Sequence, residues 1–199
     1  MPIAGKHDPM HYVLVLSNDL RQGADLYISV QKKRYTRITK TGLKNVKEGD
    51  ILYVLAHGYH SIDGKSALNE ISTIKGDMNP DVFCTFLKDN GLENVRIKLK
   101  IFSCFSAGLT HTDEDNIKLN ESFAGQVASL LRGTHNRIIV YGYLDQTKFG
   151  GVNNGHKSAG TRLGDNTSFR AKDRRYEFAL DGAINGPGGL PQLLEQRWH

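Results

Sequence analysis

The sequence predicts an α/β fold organised around a mainly parallel β-sheet. Short apolar runs recur, and they have the pattern of strands that are buried on both faces of a sheet. Amphipathic segments typical of helices lie between the later runs, and an alternation of strands and helices favours parallel pairing. The predicted buried strands are residues 11–17, 51–56, 97–103 and 137–143.

The segments between the first two buried strands are β-prone. Residues 25–30 and 34–39 are rich in β-branched and aromatic residues, so we expect a hairpin or an edge pair around residues 31–33. Residues 61–78 contain glycines and show little periodicity. They predict an active-site loop with short irregular pieces.

Two amphipathic helices are predicted. The first starts with Asn79 as N-cap and Pro80 in the first helical position, and it ends at Asn90 and Gly91. The second spans about 120–132. Their predicted apolar faces are Val82, Phe83, Phe86 and Leu87 in the first helix, and Phe123, Val127, Leu130 and Leu131 in the second.

The character of the chain changes after Tyr143. Glycines are frequent in residues 150–164, and a single β-like run at 176–180 is followed by a short helix-like segment at 191–197. We therefore expect a single domain over residues 1–199, with its core in about 11–143 and a C-terminal β-flap or loop layer in 144–199.

The cysteine count, the length of the apolar runs and the net charge limit which classes of protein the chain can belong to. Two cysteines form neither a disulfide framework nor a zinc-ligand cluster. We expect a soluble protein, because neither a signal peptide nor an apolar run long enough for a membrane span is present. It would be cytoplasmic, or secreted or delivered to a host cell without a classical signal peptide. A net charge of +5 allows an anionic partner, although we do not expect nucleic acid.

The candidate catalytic residues are His57 and Cys104. Each directly follows a predicted buried strand, and the carboxyl ends of parallel strands meet at one edge of a sheet, where ligands bind. An imidazole within hydrogen-bond reach can take the thiol proton and leave the nucleophilic thiolate. Gly58 would let a backbone N–H approach a substrate closely. A buried structural role is the alternative for either residue, and it is the role that we expect for Cys84.

Other motifs are weaker. His57 and His60 could suggest a metal site, but acidic or cysteine ligands do not recur at a suitable spacing, so we expect no metal. Residues 150–158 approach a phosphate-binding loop, but no helix-forming run follows them to supply aligned N–H groups. The acidic run 113–115 is typical of a solvated loop.

The residues around His57 and Cys104 resemble those of a known family. An apolar run before His57-Gly58 and a second one before Ser103-Cys104 resemble the caspase-like cysteine peptidases of clan CD. Together with residues 121–127 and 138–142, they look most like the self-cleaving cysteine protease domain of RTX and large clostridial toxins. The resemblance covers about residues 11–143. The caspase motif Gln-Ala-Cys-x-Gly is absent, because Phe102-Ser103-Cys104-Phe105-Ser106 stands in its place.

The resemblance implies a caspase-like fold and a cysteine endopeptidase that cleaves itself or another protein through a thioester. Cys104 would be the nucleophile and His57 the base and acid. The backbone N–H groups of Gly58 and Cys104 would form the oxyanion hole. No cofactor is needed for this chemistry.

Two further predictions concern binding. Asp145 follows the strand that ends at Tyr143, so its carboxylate could pair with a Lys or Arg of the substrate before the cleaved bond, although a turn-forming role is the alternative. The toxin domains that the chain resembles are activated by inositol hexakisphosphate beside a flap. By that resemblance, the candidate ligands of a polyanion are the basic residues Lys157, Arg162, Arg170, Lys172, Arg174 and Arg175. The alternative is that these residues form only a solvated basic face.

Two other function classes stay open. One is a non-catalytic module of the same fold that binds an inositol phosphate, another polyanion or a nucleic acid. The other is a cysteine-dependent acyl transferase or deubiquitinating enzyme that uses the same pair of side chains.

Overall fold

The computed structural model describes residues 8–31, 35–58, 70–104, 106–107, 119–143, 147–148, 157–161 and 168–186. The strands in chain order are β1 (His11–Val15), β2 (Tyr35–Ile38), β3 (Ile51–Leu55), β4 (His57–Gly58), β5 (Ile71–Thr73), β6 (Gly76–Met78), β7 (Lys98–Phe102), β8 (Ile139–Tyr143), β9 (Thr147–Lys148), β10 (Ser158–Thr161), β11 (Ser168–Arg170), β12 (Arg175–Phe178) and β13 (Ile184–Asn185). The helices are α1 (Leu20–Val30), α2 (Pro80–Asp89) and α3 (Phe123–Arg132).

The centre of the molecule is a seven-stranded sheet with the order β13-β12-β8-β7-β3-β1-β2. From β2 to β8 every neighbouring pair is parallel, and β12 then pairs antiparallel with β8. The prediction of an α/β fold with a mainly parallel sheet is confirmed. The four predicted buried strands correspond to β1, β3, β7 and β8.

Helices cover both faces of this sheet. On one face, Ala24 of α1 packs with Val13, Tyr53 and Leu55 of the strands. On the other face, α2 and α3 bury apolar side chains against the strands in the larger core cluster; examples are Phe83, Leu87, Val127 and Leu131. A two-sided cover explains why the central strands are almost continuously apolar.

The helix starts follow from local chemistry. The side chain of Asn79 accepts a hydrogen bond from the N–H of Val82 at 2.9 Å, and Pro80 occupies the first turn of α2, as predicted. Ser122 caps α3 by accepting from the N–H of Gly125 at 3.2 Å. The predicted apolar faces need a correction, because Val82 is 49% exposed and Leu130 is 37% exposed.

Two segments differ from their predicted structures. Residues 25–30 are not a strand but the second half of α1, because Ala24 and Tyr27 lie one helical turn apart and are buried together on the sheet. The predicted loop 61–78 ends in a hairpin of β5 and β6, which pairs with β4 in a small separate sheet. Residues 61–69 of that loop, the acidic run 113–115 and the helix-like segment 191–197 lie outside the described residues.

The tail contributes to two sheets. Strands β9, β10 and β11 form an antiparallel three-stranded sheet, which we call the flap. After a short 3-10 turn, β12 and β13 extend the main sheet at the edge beside β8. Among the helices of the described residues, none has the length and apolar character that crossing a bilayer would need.

Candidate active site

The main chains of His57 and Cys104 come together at the carboxyl edge of the sheet. Strands β3 and β7 are parallel neighbours, and Leu55 and Phe102 are register partners at their ends. Two residues beyond these partners, the chain reaches His57 on one strand and Cys104 on the other. The two strands therefore deliver the predicted pair to one place, although the residues are distant in sequence.

Gly58 brings these strand ends into direct contact. A β-carbon built on Gly58 would overlap the carbonyl oxygen of Cys104 and would lie 2.7 Å from Oγ of Ser103. Only a residue without a side chain fits between the two backbones. The requirement for glycine after His57 is therefore steric.

The imidazole of His57 is held by an acidic residue that the sequence did not single out. Nε2 of His57 lies 2.7 Å from Oδ2 of Asp19, which follows β1 and directly precedes α1. The hydrogen bond with His57 lowers the pKa of the Asp19 carboxyl. An ionised carboxylate can only accept, so Nε2 of His57 donates this hydrogen bond. This hydrogen bond fixes the orientation of the His57 ring.

The topology explains why Asp19 and His57 meet. From β1 the chain passes through α1 to β2 on one side, while from β3 it passes through α2 to β7 on the other side. The connections reverse direction between β1 and β3, and ligands bind at such switch points. Asp19 and His57 follow these two strands. Serine or aspartate at a strand end is also a common turn signal, so the local sequence does not reveal this pairing.

The thiol of Cys104 is half-buried and contacts the flap. The N–H of Thr147 in β9 donates to Sγ of Cys104 at 3.4 Å, and the carbonyl oxygen and Oγ1 of Thr147 lie 4.0 Å from the sulfur. Among the described residues, no hydrogen bond joins Sγ of Cys104 to the ring of His57, whose side chain is 48% exposed.

The turn that carries Cys104 is fixed by Ser106. Its hydroxyl donates to the carbonyl of Ile101 at 2.8 Å and accepts from the N–H of Tyr143 at 3.0 Å. The N–H of Ala107 donates to the carbonyl of Tyr143 at 2.9 Å. These bonds tie the turn to both β7 and β8. The small and polar residues after Cys104 therefore hold this cysteine in place.

Cys84 has the other role predicted for a cysteine. It lies in α2 at 2% exposure, and burial raises the pKa of its thiol to about 12. A thiol in such an environment stays protonated and unreactive. The structure thus separates the two cysteines by accessibility.

A basic pocket of about 440 Å³ lies on the face of the sheet that α1 covers. Four of the predicted polyanion ligands line it: Lys157, Arg170, Lys172 and Arg175. Arg174 is not among the lining residues, and Arg162 and Asp145 lie outside the described residues. Lys100 of β7, which the sequence analysis missed, supplies a fifth cation and is only 7% exposed.

Tyrosines form the floor of this pocket and surround Lys157. Its Nζ lies 3.9 Å from the ring centre of Tyr53, 4.7 Å from that of Tyr27 and 4.8 Å from that of Tyr35, and it donates to the hydroxyl of Tyr35 at 2.9 Å. Burial raises the pKa of all three tyrosines, so their hydroxyls stay neutral. No carboxylate of the described residues lines the pocket. The described residues that line the pocket therefore carry a net positive charge.

Two of the side chains that line the pocket, Tyr53 and Lys100, belong to a row across the sheet. Tyr53, Lys100 and Tyr141 are register partners on β3, β7 and β8, so their side chains share one face. Nζ of Lys100 donates to the Tyr53 hydroxyl at 3.3 Å and lies 5.7 Å from the Tyr141 ring centre. A period-two pattern on each strand, read together with the register, is the signal that could have revealed Lys100.

No metal centre is indicated in the part of the chain that the structure describes, because no group of three or more His, Cys, Asp or Glu side chains is placed to hold an ion. His60, which the sequence paired with His57 as a weak metal candidate, lies outside those ranges. In comparisons with known proteins, no family model matches the chain and no curated protein is significantly similar to it. The function therefore has to be inferred from the residues and their geometry.

Proposed function

We propose that the protein is a caspase-like cysteine endopeptidase with Cys104 as nucleophile and His57 as base and acid. The observation that carries this proposal is the Asp19–His57 hydrogen bond at the end of β3, next to the strand that delivers Cys104. In this proposal Nε2–H of His57 stays on the Asp19 carboxylate and Nδ1 acts as the base, so a third group orients the base as in other catalytic triads. Asp19 acts here as a positioning residue.

In this mechanism Sγ of Cys104 attacks the carbonyl carbon of the peptide bond, and the thiol proton passes to Nδ1 of His57. The backbone N–H groups of Gly58 and Cys104 stabilise the oxyanion that forms. His57 returns the proton to the leaving amine, which departs and leaves a thioester on Cys104. Water then attacks the thioester with His57 as base, which releases the carboxylic acid and restores the thiol.

The substrate is the chain that contains this domain or a second protein. Self-cleavage is the reaction that the resemblance to toxin protease domains implies. A comparison of purified wild type with Cys104→Ala by intact mass spectrometry distinguishes the two. A product that appears only in the wild type, at a rate independent of protein concentration, indicates self-cleavage within one molecule.

The basic pocket supports a second part of the proposal, which is regulation by a polyanion such as inositol hexakisphosphate. Five cations line a cavity whose described walls contain no carboxylate. Cations held together repel one another, so a bound polyanion favours the state in which they are assembled.

The flap links this pocket to the nucleophile by a short path. Lys157 lies in the pocket and directly precedes β10, and its carbonyl accepts the N–H of Ala171 at 2.9 Å. Within the flap, Ala159 of β10 is the register partner of Thr147, which contacts Sγ of Cys104. Ordering of the pocket would therefore order the segment that touches the thiol.

Labelling with a peptide that carries a thiol-directed acyl electrophile tests the catalytic assignment. We expect one adduct on Cys104, lost in Cys104→Ala and slowed in His57→Ala. Cys84→Ala is the matched control; it should retain labelling and hydrolysis while losing about 1 kcal/mol of stability through a small cavity. Adduct formation that does not depend on His57 would contradict the assignment.

A cleavage profile separates the remaining function classes. Incubation with a peptide library, followed by mass spectrometry, should show cuts in main-chain peptide bonds. Cuts confined to isopeptide bonds would favour a deubiquitinating enzyme, and transfer to an added amine without hydrolysis would favour an acyl transferase. Binding of inositol hexakisphosphate without labelling or cleavage would leave the non-catalytic module.

A further inference from the structure

A second basic pocket lies where β1 and β2 end, at the same edge of the sheet as the candidate catalytic residues. The cavity has a volume of about 250 Å³. Its walls include the apolar side chains of Leu14, Leu16, Met78 and Phe86. Its basic lining residues are Arg21, Arg37, Lys40 and Lys75, and no acidic residue of the described ranges lines it.

The β5–β6 hairpin connects this pocket to the active-site edge. The N–H of Ile74, one of the lining residues, donates to the carbonyl of Leu16 at 2.9 Å. A second hydrogen bond anchors the hairpin, because Oγ of Ser17 donates to the carbonyl of Ser72 at 2.8 Å. Ser72 is in turn the register partner of His57. Only a few hydrogen-bonded residues thus separate the wall of the pocket from the candidate base.

Helix α1 provides a second connection. It begins at Leu20, directly after Asp19, and Arg21 in its first turn lines the pocket. The partner of His57 and a cation of the pocket are therefore two positions apart. An extended peptide rises about 3.3 Å per residue. A substrate cleaved at Cys104 would reach the pocket within a few residues of the cut bond.

The chemistry of the lining selects among anionic ligands. Nε of Arg37 is paired with Oδ1 of Asp25 at 2.9 Å, so the main sources of charge for a ligand are Arg21, Lys40 and Lys75. These cations surround an apolar floor, and Ile74 presents a further apolar side chain that is 53% exposed. A small inorganic anion would make no favourable contact with the apolar floor. A peptide with neighbouring acidic and apolar residues matches both the cations and the floor.

We propose that this pocket binds acidic and apolar residues of the polypeptide substrate on one side of the cleaved bond, and so contributes to specificity. The proposal rests on the proposed peptidase function, to which it adds a substrate class. The proposed pocket does not involve Asp145, the candidate ligand for a basic substrate residue. Asp145 follows β8 in the sequence, whereas the pocket lies where β1 and β2 end.

Matched peptide libraries test the proposal with the full chain. Fluorogenic peptides with a randomised centre carry Glu at positions two to four on one side of the centre in one library and Gln in the other. For one of the two sides, we expect kcat/KM to be about tenfold higher for Glu than for Gln at low salt, since two exposed ion pairs supply about that factor. The ratio should fall as salt is added.

A charge-neutralising variant identifies the pocket as the cause. In Lys40→Gln/Lys75→Gln the Glu preference should fall towards one. Lys47→Gln/Lys98→Gln is the matched control, because it removes the same charge from exposed residues at the amino ends of β3 and β7. A wild-type ratio near one on both sides, or a ratio that the Lys40/Lys75 variant leaves unchanged, overturns the proposal.

Binding to the Cys104→Ala variant distinguishes failure of the pocket proposal from failure of the peptidase proposal. Fluorescence anisotropy compares the same Glu and Gln peptides on this variant and on its combination with Lys40→Gln/Lys75→Gln. A Glu preference that depends on these lysines supports the pocket even if the wild type cleaves nothing, in which case the peptidase proposal fails alone. Cleavage without any Glu preference overturns the pocket and leaves the peptidase proposal standing.

Discussion

Gly58 lies against the main-chain carbonyl group of Cys104, with no room for a side chain between the two residues. This contact joins the ends of two neighbouring parallel strands and fixes the separation of the backbones that carry the candidate base and nucleophile. A mutation here should therefore act on geometry rather than on chemistry.

Gly58→Ala should lower activity by about a hundredfold or more, because displacing a reacting group by about 1 Å can cost that much. The melting temperature should also fall, since the two backbones must separate. Peptide hydrolysis and calorimetry measure the two effects. Gly133→Ala is the control, because its added β-carbon would meet only the Leu130 carbonyl at 3.8 Å. Wild-type values for Gly58→Ala would show that the strand ends are less constrained than this contact requires.

Asp19→Asn should reduce kcat by about tenfold to a hundredfold and leave KM nearly unchanged, because it removes the charge that orients His57. The Asp19 carboxyl has a lowered pKa and stays ionised through the neutral range. Its contribution is therefore lost only when the pH falls through that lowered pKa, so the defect should persist at every pH above that pKa.

Asp25→Asn is the matched control for that experiment, since Asp25 lies in α1, the helix that Asp19 precedes, and pairs with Arg37 instead of His57. The melting temperature should stay close to that of wild type in Asp19→Asn, because its side chain is 68% exposed. A kcat equal to wild type would mean that His57 needs no positioning residue.

Iodoacetamide at pH 8 should alkylate Cys104 and spare Cys84. The raised pKa of the Cys84 thiol, about 12, means that the thiolate forms only as the pH approaches that value, and burial blocks the reagent as well. Peptide mapping by mass spectrometry locates the adduct. Cys84 should react only in denaturant. Equal labelling of both cysteines in the native protein would show that α2 opens readily.

Inositol hexakisphosphate should raise the melting temperature and the rate of Cys104 labelling, with both effects weakening as salt is added. Lys172→Gln should reduce the response, because Lys172 lines the basic pocket. Arg174→Gln is a close control, since Arg174 lies in the same 3-10 turn but not among the lining residues. Equal responses in the two variants would point to a diffuse surface charge.

The sequence predicted the main sheet because its strands are buried on two faces, and burial of that kind leaves a continuous apolar run. Helix α2 could also be predicted from the sequence, since Asn79 and Pro80 give a strong signal for the start of a helix. Helix α1 was not predicted, because Ile28 and Val30 favour strands in isolation, and packing of Ala24 and Tyr27 on the sheet overrides that preference.

The candidate site was predictable only in part for a similar reason. His57 and Cys104 each stand at the end of an apolar run, so each can be recognised as a candidate from its local sequence. Asp19 and Lys100 are visible only through the register of other strands: one meets His57 across the β1–β3 junction, and the other lies between Tyr53 and Tyr141. Contacts between distant segments leave no local pattern.

The pairing of β8 with β12 has a consequence for how the chain can be rearranged. Tyr143 and Arg175 are register partners in adjacent antiparallel strands, so residues 144–174 leave the sheet and return to it at one point. Without them, β8 and β12 would need only a tight turn to form an ordinary hairpin. The segment that carries the flap and much of the basic pocket is thus an insertion that can lengthen, shorten or be exchanged while the hydrogen bonds of the main sheet stay in place. The flap and this part of the basic pocket can therefore vary while the strand ends that lead to His57 and Cys104 stay the same.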